Sequence, residues 1–119
     1  MSYSEEATGL PIFLAVDEEG GTVTRIASNM EFGVADVGDM SVIGEAGDAQ
    51  NAYLVGTSIG SYLAELGFNV NFAPMADLHL NEENTVTQYR SFGSDATLVG
   101  NMVVSELTGL SEKGIYGVV

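Results

Sequence analysis

The sequence predicts an α/β fold built from parallel strands, and two observations carry that expectation. Short apolar runs alternate with longer segments whose apolar residues recur at helical spacing. Each helical segment is bracketed by a capping residue before it and a glycine after it. Alternation of this kind gives parallel strands joined by right-handed crossovers.

The first run, residues 10–16 (Leu-Pro-Ile-Phe-Leu-Ala-Val), is continuously apolar and is closed by Asp17. Length and boundaries suit a buried strand, expected over 12–16. A long loop follows, from Glu18 to Gly47. A helix is then expected over 49–66, with Asp48 as cap and Ala52, Tyr53, Gly56, Ile59, Gly60, Leu63 and Leu66 at helical spacing. Gly67 stands where a left-handed terminal residue is wanted. The second strand is expected over 70–75 and is closed by Asp77, and a second polar loop runs from Leu78 to Gly93. Ser94 or Asp95 starts the second helix, expected over 95–113, which lines up Leu98, Val99, Met102, Val103, Leu107 and Leu110. Lys113 in its last turn suits the helix dipole and Gly114 ends it. Residues 115–119 form a third apolar run. The reading is one domain of about three parallel strands and two long helices, with neither internal repeat nor low-complexity linker.

Composition narrows the function classes. The 119 residues are 45% apolar, enough for a core, and no stretch approaches the roughly 20 apolar residues of a membrane span. Seventeen acidic residues against three basic ones give a formal net charge of −14. Such a surface is repelled by phosphate backbones and anionic lipid, so neither nucleic acid nor membrane is an expected partner. Cysteine is absent, which removes disulfides, thiolate zinc sites and a cysteine nucleophile. No metal or cofactor pattern is present: Asp17-Glu18-Glu19-Gly20-Gly21 lacks the alternating acids and sixth-position glycine of a calcium loop.

Both long loops follow the C-terminal ends of strands, the face on which βα architectures bind ligands. Three segments there carry chemistry. In Asp17-Glu18-Glu19-Gly20-Gly21-Thr22-Val23-Thr24-Arg25, a carboxylate at a strand end precedes glycines that let the backbone approach a ligand. Arg25 can add a forked donor for hydroxyls; a capped turn with an incidental arginine fits the same pattern. In residues 69–78, Asn71 and Asp77 interrupt an apolar strand and are read as holding strand ends and loops. In Tyr89-Arg90-Ser91-Phe92-Gly93-Ser94-Asp95, Arg90 could pair with Glu82 or Glu83. Yet the chain's two arginines both stand beside glycine turns on the ligand face, which favours function for each. His79, the only histidine, is read as a loop residue.

Taken in order, Asp-Glu-Glu-Gly-Gly with Val and Arg, then Asn-Val-Asn-Phe-Ala-Pro with Asp, then Arg-Ser-Phe-Gly-Ser-Asp, resemble the N-terminal barrel of family 3 glycoside hydrolases. The Asp17 to Gly21 turn is similar to the β-N-acetylhexosaminidase branch, with a β-glucosidase-type hydrolase as the alternative. The resemblance covers residues 9–119. It implies an internal segment of a (β/α)8 barrel acting on glycans that contain N-acetylglucosamine. Asp17 and Arg25 would bind the hydroxyls of one sugar, and Arg90 would hold it from the opposite loop. It also implies retaining hydrolysis through a covalent intermediate, with a loop histidine as acid/base. In the family the nucleophile and that histidine come after the strand matched by residues 115–119, so no catalytic residue is expected here. On this reading the chain by itself is inactive and self-associating. A sugar-binding module without catalysis and a plain structural α/β domain are the competing classes.

Overall fold

The computed structural model describes residues 12–21, 23–29, 33–34 and 36–119. Leu10 and Pro11 of the first apolar run lie outside them. Strand β1 (Ala15–Val16) is followed by helix α1 (Met40–Ala46), helix α2 (Ala49–Glu65), strand β2 (Val70–Asn71), helix α3 (Ala96–Glu112) and strand β3 (Tyr116–Gly117). The three strands form one parallel sheet in the order β1-β2-β3. Ala15 pairs with Val70 and Val70 with Tyr116. The α/β architecture and the parallel topology therefore follow the sequence.

The ladders are shorter than the apolar runs that encode them. Their hydrogen bonds extend from Val70 N–H to Leu14 O (3.1 Å) as far as Val118 N–H to Asn71 O (2.9 Å). Pairing cannot run through residue 74, because proline has no N–H to give.

Both long helices start where their caps place them. Asp48 Oδ1 accepts from Gln50 N–H at 2.9 Å, and Asp95 Oδ1 accepts from Thr97 N–H (2.9 Å) and Leu98 N–H (3.2 Å). Gly67 (φ 92°) and Gly114 (φ 79°) take the left-handed conformation just beyond the helix ends. Helix α1 is an addition to the sequence reading, lying inside the segment expected as loop. Its N-cap Asp39 makes no side-chain capping bond, so local signals are weak. Packing holds it instead: Met40 is buried, and a Cβ on Gly44 would sit 2.8 Å from Phe92 Cα.

The core lies between the two long helices and the sheet. Ala52, Val55, Ile59, Tyr62 and Leu63 of α2 meet Val99, Met102, Val103 and Leu110 of α3, with Ile26, Met40, Phe92 and Ile115 closing the ends. Tyr53 and Leu66, expected on the buried stripe, are half-buried and exposed respectively, and Val55 and Tyr62 take the interior places. The helices cross with their backbones in contact. A Cβ on Gly56 would fall on the Glu106 carbonyl group, and one on Gly109 would lie 2.8 Å from the Thr57 nitrogen.

Among the described residues no helix covers the other face of the sheet. Phe13, Phe72 and Tyr116 are exposed there, Phe13 and Tyr116 in edge-to-face contact with ring centroids 6.3 Å apart. Together with Ala15, Val70 and Val118 they line an apolar hollow of about 420 Å³. Among the described residues no helix is long and apolar enough to cross a membrane.

Candidate functional site

The parallel sheet brings the ends of β1 and β2 to one side, and the residues that follow them form a cavity of about 530 Å³. Asp17 and Glu19 line it from the β1 loop, Phe72, Pro74, Met75, Ala76 and Asp77 from the segment after β2, and Arg90 from the second loop. Asp17 is exposed, as a carboxylate offered to a ligand would be.

The side chain between the two lining acids turns the other way. Glu18 is fully buried. Its Oε1 accepts from the backbone N–H groups of Arg25 (2.5 Å) and Ile26 (3.0 Å). Its Oε2 accepts from Ala27 N–H (2.9 Å), Thr24 Oγ1 (2.6 Å) and the Tyr62 hydroxyl (2.6 Å). Burial pushes the Glu18 carboxyl up, but the hydrogen bonds from Thr24, Tyr62, Ile26 and Ala27 outweigh it, and the net displacement is downward. Burial and donation to Glu18 hold the Tyr62 hydroxyl well above its ordinary range. The Glu18 backbone is clasped too: its N–H donates to Asn71 Oδ1 and its carbonyl accepts from Asn71 Nδ2, both at 2.9 Å. Asn71 thus holds a strand end, as expected. Because Cβ directions alternate along extended chain, fixing Glu18 inward turns Asp17 and Glu19 toward the other side.

Glu19 meets Arg90 across 71 positions of sequence. Arg90 Nε donates to Glu19 Oε2 at 3.0 Å and Nη2 donates to Oε1 at 2.8 Å, a bidentate ion pair. Glu19, not the neighbouring Glu82 or Glu83, is therefore the partner of this arginine. Its guanidinium is held in the charged form by that hydrogen bond, against some desolvation, with Asp77 and Asp17 adding attraction. The loop carrying Arg90 is gathered at Ser91, whose hydroxyl donates to the Asp77 carbonyl (2.6 Å) and accepts from Gly93 N–H (3.1 Å). Asp77 both anchors the loop through its carbonyl and lines the cavity.

Of the sequence-derived candidates, Asp17 and Arg90 are brought to one cavity. Arg25 is not among the residues lining it. The Glu18 carboxylate draws the backbone of residues 25–27 inward, and the Arg25 residue is exposed. His79 bonds Thr87 through Nδ1 (2.7 Å) within its loop. Two residues were missed: Glu19, hidden inside an acidic motif, and Glu18, whose role depends on backbone donors that side-chain patterns do not display. Among the described residues no group of three or more histidine or acidic side chains could hold a metal ion.

The arrangement offers carboxylate acceptors, one cation with donors, and apolar walls from Phe72, Pro74, Met75 and Val118, a mixture suited to a polyhydroxylated ring with an apolar face. Comparison with known proteins points the same way. The family model described as "Glycosyl hydrolase family 3 N terminal domain" matches residues 1–119. Beta-hexosaminidase A of Pseudoalteromonas piscicida is 38% identical over 109 residues, covering 89% of this chain and 18% of that protein. A Cellulomonas fimi protein named beta-N-acetylglucosaminidase/beta-glucosidase is 28% identical over 106 residues, covering 89% of this chain and 18% of its own length. The solved family 3 beta-N-acetylglucosaminidase of Paenibacillus sp. str. FPU-7 superposes with a TM-score of 0.86 at 38% identity, over 98% of this chain and 21% of that one. The chain spans 18% to 31% of the length of the curated relatives it matches.

Proposed function

Because this chain belongs to the family of glycosyl hydrolase family 3 N-terminal domains, we propose that it is a segment of the catalytic barrel of a retaining β-N-acetylhexosaminidase. In this reading the enzyme removes terminal β-linked N-acetylglucosamine, and the cavity of Asp17 and Arg90 holds that sugar. The observation that carries the reading is the convergence of Asp17, Asp77 and Arg90 on one cavity beyond the strand ends. Asp17 accepts from sugar hydroxyls, Arg90 donates to the same ring from the opposite loop, and the apolar wall faces its C–H surface. Arg25 keeps a substrate role only if its side chain reaches the sugar from outside the cavity lining. Nucleophile and acid/base belong to other parts of the full-length protein, so the chain alone gives no hydrolysis of aryl β-N-acetylglucosaminides; turnover by the chain alone would overturn that assignment.

In the full-length protein, Arg90→Ala is expected to lower kcat/KM for such a substrate about 10- to 150-fold. That is the loss of about 1.5–3 kcal/mol from a charge-assisted hydrogen bond. Wild-type kinetics in that variant would refute the sugar-holding role.

The Cellulomonas fimi relative, whose name joins two activities, favours one second reading, in which glucosides are also cleaved. Comparing kcat/KM for aryl β-N-acetylglucosaminide and aryl β-glucoside decides between them, and equal values favour the second.

The chain on its own is also expected to associate with a second copy. Among the described residues, the outer strands β1 and β3 each leave one edge unpaired, and the sheet face without a helix exposes Phe13, Phe72, Tyr116 and Val118. Open strand edges beside apolar side chains are templates for pairing, and salt screens the acidic surface beyond about 8 Å at physiological ionic strength. Light scattering across a concentration series should report a dimer or larger; a monomer at the highest concentration would count against it.

A further inference from the structure

Arg90 reaches the cavity from a segment, residues 72–95, that contains neither helix nor strand. An arginine on such a segment has a long side chain and many rotamers. Two acids of the cavity, Asp17 and Asp77, already attract it. A direct pair between Arg90 and Asp17 would use up the acceptor and the donor that a sugar needs. The structure avoids this. One whole edge of the guanidinium, Nε and Nη2, is occupied by Glu19 (3.0 and 2.8 Å).

Glu19 is the fixed partner of the two. Its side chain is 7% exposed against 29% for Arg90. Its backbone N–H donates to Val23 O at 2.8 Å, and Gly20 repeats that bond at 3.1 Å. Gly20 (φ 98°) turns the chain with no room for a side chain: a Cβ there would lie 2.6 Å from Val37 Cγ2. The same loop is held from below by the Glu18 carboxylate.

We propose that Glu19 is a positioning residue for the sugar site: it clamps the side edge of Arg90, keeps the guanidinium off Asp17, and leaves the end-on fork of Nη1 and Nη2 for the ligand. The inference rests on the sugar-binding reading of the cavity. With Glu19 neutralised, Arg90 turns to Asp17 or Asp77, and the sugar must then break an ion pair before it binds. The loss falls on binding, because Glu19 itself meets no reacting atom.

The test uses the full-length enzyme with an aryl β-N-acetylglucosaminide, measuring KM, kcat and the thermal midpoint for Glu19→Gln, Glu19→Asp, Arg90→Ala and the double variant Glu19→Gln/Arg90→Ala. Glu19→Gln should raise KM about 10-fold or more, the loss expected of a charge-assisted bond, with a smaller change in kcat. Glu19→Asp retains the charge with a shorter reach and should fall between wild type and Glu19→Gln; it carries the test if Glu19→Gln does not fold. The double variant should bind no worse than Arg90→Ala, since Glu19 acts through Arg90. A KM within about twofold of wild type for Glu19→Gln, while Arg90→Ala weakens binding, would overturn the proposal and leave the sugar site standing. So would additive losses in the double variant. A wild-type KM and kcat/KM in Arg90→Ala would remove the sugar-site reading itself, and this inference with it.

Discussion

Glu18→Gln is expected to lower the unfolding free energy of the chain by about 3–5 kcal/mol, because a buried carboxylate serving several donors is replaced by a group that is half donor. The geometry leaves the amide no good orientation. With its nitrogen at the Oε1 position it faces the N–H groups of Arg25 and Ile26; at the Oε2 position it faces the N–H of Ala27. Thr24 and Tyr62 can rotate their hydroxyls, but a backbone N–H cannot turn away. The same cluster makes the chain acid-sensitive. The folded-state pKa of Glu18 lies below its ordinary value of 4.5. Its contribution is therefore complete above that value and is lost as pH falls through the folded pKa, where the native state too must take up the proton. Denaturation midpoints measured from pH 3 to 7 should show a limb that rises with pH for the wild type and is much reduced in Glu18→Gln. A variant as stable as the parent, with the same limb, would show that the cluster is dispensable.

Glu106→Leu is expected to act in the opposite direction, stabilising the chain at pH 7 by about 3 kcal/mol. Glu106 lies in α3 with no exposed surface, and neither carboxyl oxygen meets a hydrogen-bond donor among the described residues. Burial, reinforced by the charge of Glu19, pushes its pKa up to about 8 from 4.5. Between those two values the unfolded chain is ionised and the folded chain keeps its proton, so stability falls as pH rises through this window and levels off above about 8. Leucine removes both the titration and a buried polar group that is desolvated without a hydrogen-bond partner. Guanidinium unfolding at pH 5 and pH 8 should show the wild type losing stability between the two, with Glu106→Leu flat. Parallel profiles would mean that Glu106 already finds a partner.

Local signals in the sequence were sufficient for the elements that govern themselves. Asp48 and Asp95 announce their helices because an N-cap is a contact between near neighbours, and Gly67 and Gly114 mark ends where a side chain would be strained. Asp17 and Arg90 were legible because they flank glycine turns at strand ends. Glu19 was not, because its partner is 71 positions away and nearer acids looked equally able. Helix α1 escaped notice since its stability comes from Phe92, far along the chain. Arg25 shows the limit from the other side, where its backbone N–H is what the clasp recruits. Glu106 was open to detection, since the apolar stripe Val99, Met102, Val103 and Leu110 runs straight through position 106.

The crossing of α2 and α3 through Gly56 and Gly109 bears on how the molecule opens. With backbone against backbone, one helix cannot loosen by rotating a side chain; it must leave its partner altogether. Amide protons of the two helices should therefore exchange with solvent together, at one shared opening free energy, while those of the exposed 80–86 segment exchange far sooner. Slow motion at the cavity of Asp17 and Arg90 is then confined to the loops, on a frame that opens only when the whole helix pair does.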